Sequence, residues 1–208
     1  MRKLFLFVLI ALSTSAFAQS RLITPEIYVG ANVGVTESMV TFNPSVKQSF
    51  LQGYNGGLVF RYIAEKNVGM QAELNFSQRG WKESSGLYTR QLNYIELPFM
   101  THIYIGKKNR FFINLGPKIS YLISEKTILD QTVNSTELQE TTPIKHPFDY
   151  GLCAGIGVLF NIKGNIFQLD SRANYSFSDL YPNSKTDYFD NSHNLNLSVN
   201  LAWLIQVK

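Results

Sequence analysis

An all-β fold, an eight-stranded antiparallel up-and-down transmembrane β-barrel, is what three features of this sequence predict. Beyond residue 26, apolar and polar side chains alternate at a period of two through most of the chain. Short turns rich in Gly, Asn and Lys alternate strictly with long connections. Aromatic residues of the apolar set gather near strand ends, with aliphatic residues between them. A period of two marks strands with two different faces. Long loops at one end and tight turns at the other are the plan of an outer-membrane barrel.

Composition narrows the class. Of the 208 residues, 45% are hydrophobic and 16% charged, against the roughly 25% charged expected of soluble domains. Past the N-terminus there is no unbroken apolar run of ~18 residues, so helices do not cross a membrane here. The 15 Phe, 11 Tyr and 2 Trp exclude a disordered chain. The one cysteine, Cys153, excludes an intramolecular disulfide and a multi-cysteine metal site.

At the N-terminus, Arg2 and Lys3 precede the apolar run Leu4 to Leu12, and Ala16-Phe17-Ala18 ends the segment. This pattern predicts a signal peptide over residues 1–18, cleaved before Gln19, and a barrel domain over 19–208. The formal net charge of +4 falls to +2 once Arg2 and Lys3 are removed, so a nucleic-acid partner is not expected.

The expected strands, in order, are Ile27–Thr36, Asn55–Ile63, Val68–Ser77, Leu92–Ile105, Phe111–Leu122, Phe148–Ile162, Phe167–Phe177 and Asn194–Val207. In the third, Val68, Met70, Ala72, Leu74 and Phe76 alternate with Gly69, Gln71, Glu73, Asn75 and Ser77. Most approach the ~9–11 residues that cross a bilayer when tilted. Short turns fall at Ala64–Asn67, Gly106–Arg110 and Lys163–Ile166. Long connections fall at Glu37–Tyr54, Gln78–Gln91, Ile123–Pro147 and Ser178–His193. Pro98 and Pro117 lie inside strands, and a bulge is expected at each.

Two features assign the faces. Gly151, Cys153, Gly155 and Gly157 make the polar face small, which suits a narrow lumen rather than a solvated surface. The apolar face carries two sets of aromatics, Tyr62, Phe111, Phe160, Phe167 and Trp203 near the short turns, and Phe76, Tyr121, Phe148, Tyr150, Tyr175 and Phe177 near the long connections. Two such belts match two lipid–water interfaces, so the apolar face is expected to meet lipid.

Tyr94-Ile95-Glu96-Leu97-Pro98-Phe99 resembles a strand of the PorT-type outer-membrane β-barrel family of Bacteroidetes-like bacteria. Phe112-Ile113-Asn114-Leu115-Gly116-Pro117-Lys118 and Arg172-Ala173-Asn174-Tyr175-Ser176-Phe177-Ser178-Asp179-Leu180 are similar to its next and penultimate strands. The resemblance implies an eight-stranded barrel in the cell outer membrane, a type with some members linked to protein secretion. The chain departs from the terminal aromatic common in such barrels, since Lys208 ends it.

The inferred lumen holds Arg61, Glu73, Glu96, Lys118, Asp149, Asp170 and Arg172, three positive charges against four negative. A barrel this narrow is filled by side chains, so these residues read as a structural network plugging the lumen, with Glu96 paired to Lys118. No catalytic residue, cofactor or metal ligand is expected, because His102, His146 and His193 share no ligand spacing. In the connections, Trp81, Tyr88, Tyr181, Tyr188 and Phe189 are candidate contacts for other envelope proteins. The expected function is thus that of a monomeric, non-enzymatic barrel whose partners are outer-membrane lipid and other envelope components, such as secretion or uptake machinery. The alternative is a lipid-modifying hydrolase using Ser192 and His193 at the outer rim.

Overall fold

The computed structural model describes residues 21–129, 144, 146–181 and 190–207. The leader, with its Ala16-Phe17-Ala18 site, and the loop residues Tyr188 and Phe189 lie outside the described residues. Among the described residues nine strands form: β1 (Arg21–Asn43), β2 (Gln48–Ser49), β3 (Leu51–Glu65), β4 (Val68–Glu83), β5 (Tyr88–Gly106), β6 (Asn109–Leu129), β7 (Phe148–Ile162), β8 (Asn165–Ser176) and β9 (Asn191–Gln206). The short β2 only pairs Gln48 and Ser49 with the end of β4. The other eight pair antiparallel in sequence, β1–β3–β4–β5–β6–β7–β8–β9. From β9 the ladder returns to β1, unbroken from Tyr28↔Gln206 to Asn43↔Asn191. A ring of eight strands leaves no long strand with an unpaired edge.

The short turns are closed by left-handed residues. Lys163 and Gly164 have φ of 53° and 86° between the paired Ile162 and Asn165, the primed two-residue hairpin. Asn67 has φ 71° and Gly106 φ 112° in the other two.

Several strands are longer than the sequence predicts. β5 has 19 residues, about 60 Å of chain. At a tilt of roughly 40° this is a height of about 48 Å, against an apolar band of ~25 Å. The stretches expected as connections at 37–54 and 78–91 are therefore largely strand, and Thr127, Ile128 and Leu129 pair with Arg90, Thr89 and Tyr88. Their pattern explains the misreading. Between the belts the outward residues are apolar and the inward ones polar. Above the upper belt the phase reverses: Val40, Phe42, Trp81, Tyr88 and Leu92 point inward, while Glu37, Thr41 and Lys82 face out. The reversal marks where a strand leaves lipid for water, not where it ends.

The bulges expected at Pro98 and Pro117 do not form. The β4–β5 ladder skips from Ala72↔Phe99 to Asn75↔Glu96, and the β5–β6 ladder from Pro98↔Lys118 to Thr101↔Leu115, with register the same on both sides of each gap. A proline deletes a donor but adds no residue, so rungs are lost without a slip. The irregularity on β5 lies instead between Asn93 and Tyr94.

Candidate functional site: the lumen and its two seals

Alternation sends every second side chain of eight strands into one narrow interior, so the lumen must satisfy many polar groups by direct contact. Arg61, Glu73, Glu96, Lys118, Asp149, Asp170 and Arg172 all lie there, buried. In a ring of eight, strands four steps apart face each other across the diameter. Arg172 on β8 spans it to Glu73 on β4, Nη1 to Oε2 at 2.6 Å, and also pairs with Asp170 beside it. Asp170 accepts further from Gln168 and Asn200, and Glu73 from Asn32 and Asn75. Arg61 on β3 donates across to Gln168 on β8 and to Gln71 on β4. These bonds leave little space. A cavity lined by Thr36, Asn55, Glu96, Cys153 and Arg172 among others has a volume of about 20 Å³, room for one water.

Nearer the long connections lies a second cluster, and it contains a residue the sequence reading placed in a loop. Arg79 on β4 has no exposed side-chain surface. Its guanidinium pairs with Glu96 on β5 and, at 2.8 Å, with Asp149 on β7, and it lies over the Tyr94 ring at 4.0 Å. Lys118 Nζ is 3.5 Å from Glu96, so that pair exists but shares its carboxylate with Arg79. Asp149 also accepts from Ser176 and Ser178. With Arg79 counted, Arg61, Arg79, Lys118 and Arg172 face Glu73, Glu96, Asp149 and Asp170 in this interior, while a fifth buried cation, Arg90, pairs with Glu125 nearer the rim. The signal that could have found Arg79 was the unmatched fourth carboxylate.

Each end of this polar interior is closed by apolar side chains. At the short-turn end Tyr28, Val59, Ile63, Tyr104, Phe112, Leu159, Ile166, Ala202 and Leu204 form one buried cluster. Below it Arg110 reaches across the ring to Glu26 at 3.2 Å and covers the Tyr104 ring at 4.4 Å. His102 sits at this depth, fully buried, Nδ1 2.7 Å from Asn114 Oδ1. At the long-connection end Val40, Phe42, Trp81, Tyr88, Leu92, Tyr94, Leu180 and Tyr181 form the other cluster. Trp81 and Tyr88 are therefore buried, not exposed loop contacts, because the reversed phase of the extended strands turns them inward, and Tyr181, in the segment after β8, is buried with them. Burial raises the Tyr181 phenol well above its ordinary pKa, and the hydroxyl accepts from Arg90 at 3.0 Å.

The outer rim does not assemble an activated serine. Ser192 is buried and its Oγ accepts from Tyr181 N at 3.0 Å, while Asp179 Oδ1 accepts from Ser192 N at 2.6 Å. His193 Nε2 is 3.8 Å from the same Asp179 oxygen, and its Nδ1 is 3.3 Å from Ser178 O. The carboxylate lies between serine and histidine, whereas nucleophile activation needs the histidine between the other two. Here the group ties the 178–181 segment to β9. His146 makes a similar loop contact, Nδ1 3.2 Å from Asp179 O. Among the described residues no cluster of His, Cys, Asp and Glu is placed to hold a metal ion.

On the outside, Leu58, Ile113, Leu115, Ile156, Val199 and Leu201 are each at least half exposed, an apolar surface that runs around the ring. Phe76, Phe111, Tyr121, Phe148, Tyr150, Phe160, Phe167, Tyr175, Phe177 and Trp203 also face out, and Tyr62 is half-buried. Near the short turns Trp203, Phe167 and Phe160 are direct cross-strand neighbours. At the other end Tyr121 pairs with Phe148, and the Phe148, Tyr150, Phe177 and Tyr175 rings touch in series.

Residues 17–181 match the family model described as the outer membrane protein beta-barrel domain. No curated protein matches the chain. Among solved structures it is similar to Ail, the attachment invasion locus protein of Yersinia pestis, at 15% identity and a TM-score of 0.46 over 86% of this chain and 99% of that one. It is also similar to OprG of Pseudomonas aeruginosa (11%, TM-score 0.47, 88% and 94%) and to E. coli outer membrane protein W (14%, TM-score 0.41, 85% and 97%).

Proposed function

The chain belongs to the outer membrane protein beta-barrel domain family, and from that premise we propose that it is a non-enzymatic barrel with a plugged lumen, presenting its two ends to other envelope components. The strands cross the outer membrane, with the long connections outside and the short turns in the periplasm. Residues 1–18 form the signal peptide that brings it there. Outward aromatics mark the two interfaces: Tyr150 and Phe160 are ten residues apart on β7, about 25 Å of height at a ~40° tilt. The motifs at Tyr94–Phe99, Phe112–Lys118 and Arg172–Leu180 favour the PorT type within the family.

One observation carries the plug: charge pairs bridge the lumen from wall to wall, between apolar clusters at both ends. A path for solute would have to break several buried ion pairs at once, each costing about 3–5 kcal/mol. Single-channel recording in planar bilayers is expected to show no stable large conductance. Sustained openings would refute the plug. The scaffold role is tested by chemical crosslinking in intact outer membranes from single cysteines at Lys82 and Lys108. Reproducible adducts to specific envelope proteins are expected, and adducts to lipid alone would refute a protein-contacting role.

A further inference from the structure

We propose that the short-turn end of the barrel is a basic ring that gathers anionic phospholipid headgroups in the leaflet it borders, which rests on the reading that these turns face the periplasm. The starting observation is a difference in sign between the two ends. Lys66, Lys107, Lys108 and Lys163 are all exposed on the three short turns. The acids described at that end are the half-buried Glu65 and Glu26, which Arg110 engages. At the opposite end Lys47, Lys82, Lys126 and Arg90, which engages Glu125 at 2.9 Å, are outnumbered by Glu37, Glu83, Glu125, Asp179 and Asp190. Between them the lumen charges Arg61, Arg79, Lys118 and Arg172 balance Glu73, Glu96, Asp149 and Asp170. Exposed lysines lie at both ends; it is the acids that are scarce among the described residues of the short-turn end, which leaves its lysines without carboxylates to offset them.

Their depth and distribution identify the partner. Lys163 follows the outward Phe160 by three residues, Lys66 follows Tyr62 by four, and Lys107 and Lys108 immediately precede the strand carrying Phe111. The ammonium groups therefore sit just beyond the lower aromatic ring, where a lysine stem covers apolar surface and its head reaches the phosphate plane. The three turns join six of the eight strands and are spaced around the circumference. A plane of headgroups encircling the barrel meets all of them at once, whereas a protein partner would need a patch on one side. The turn at Lys163 carries its charge in a left-handed position, φ 53°, where Asn or Gly is less strained.

The test reconstitutes the full chain in phosphatidylethanolamine vesicles holding a minor fraction of phosphatidylglycerol. The protein is released in mild detergent and its retained lipid is quantified by mass spectrometry. Wild type is expected to retain phosphatidylglycerol above its bulk share, less so at high salt. A surface lysine near an anionic bilayer favours binding by about five-fold, so Lys66→Gln/Lys107→Gln/Lys108→Gln/Lys163→Gln is expected to lower the enrichment by roughly ten-fold or more. Heat-modifiable gel mobility confirms that it folds. Lys47→Gln/Lys82→Gln/Lys126→Gln is expected to leave the ratio unchanged. Equal enrichment in the turn variant and wild type, or loss only in the second variant, overturns the proposal. Orientation is read separately by labelling Lys108→Cys in intact cells with a membrane-impermeant thiol reagent. Labelling from outside defeats the periplasmic reading while leaving the lipid ratio to judge the ring.

Discussion

Replacing Arg79 by methionine is the sharpest perturbation of the lumen. The guanidinium is fully buried, 2.8 Å from Asp149 and paired with Glu96. Methionine keeps most of the volume and removes the charge, leaving Asp149 and Glu96 to share Lys118, whose Nζ is 3.5 Å from Glu96. Breaking a buried pair costs about 3–5 kcal/mol because the partner's desolvation is no longer offset. Lys118 retains part of that, so the expected loss is about 3 kcal/mol. The double variant Arg79→Met/Asp149→Asn restores neutrality and leaves Glu96 with Lys118, so it should regain about 2 kcal/mol. Urea unfolding from lipid vesicles, followed by tryptophan fluorescence with Trp81 buried in the adjacent cluster, measures both. A loss below about 1 kcal/mol, the range of water-screened pairs, or a double variant no better than the single one, would refute a dry, charge-balanced lumen.

Three further outcomes follow. Gly157→Val should cost about 3 kcal/mol and lower the folded fraction on heat-modifiable gels, because a Cβ would lie 2.7 Å from both Phe112 Cζ and Asp170 Cβ. Ser192→Ala should leave any background lipid deacylation unchanged while speeding protease cleavage in the connection after Tyr181, since it removes an anchor worth about 1 kcal/mol. Tyr181→Phe should weaken the same segment by about 1 kcal/mol through the lost Arg90 hydrogen bond, seen as faster hydrogen exchange near 180.

Between the aromatic belts the sequence was nearly transparent, because lipid outside and charge inside impose opposite chemistry on alternate residues. Val68 to Ser77 shows both faces without ambiguity, and the lumen carriers Glu73, Asp170 and Arg172 could be named from parity alone. Above the upper belt water replaces lipid, so the preferred chemistry of each face exchanges. Trp81 and Tyr88 then look like exposed aromatics among charges when they are the packed interior of strands. Arg79 was lost in the same exchange, and the lumen ledger stayed one charge short. The inward apolar cluster around Phe112, Ile63 and Leu204 was masked for another reason: on the last turns of strand both faces are apolar, and parity carries no information. Pro98 and Pro117 misled because a missing donor was equated with an extra residue.

Cys153 tests the central claim most directly. It is the only cysteine in the chain, lies midway along β7, is 1% exposed and packs with its Sγ 3.5 Å from Met100 Sδ. The folded protein in lipid vesicles is exposed to a small, water-soluble thiol reagent, and labelling is followed by intact mass. A lumen closed at both ends predicts no adduct in the folded barrel and complete labelling once urea unfolds it. Rapid labelling of the folded form would place bulk water beside Cys153 and contradict the plug.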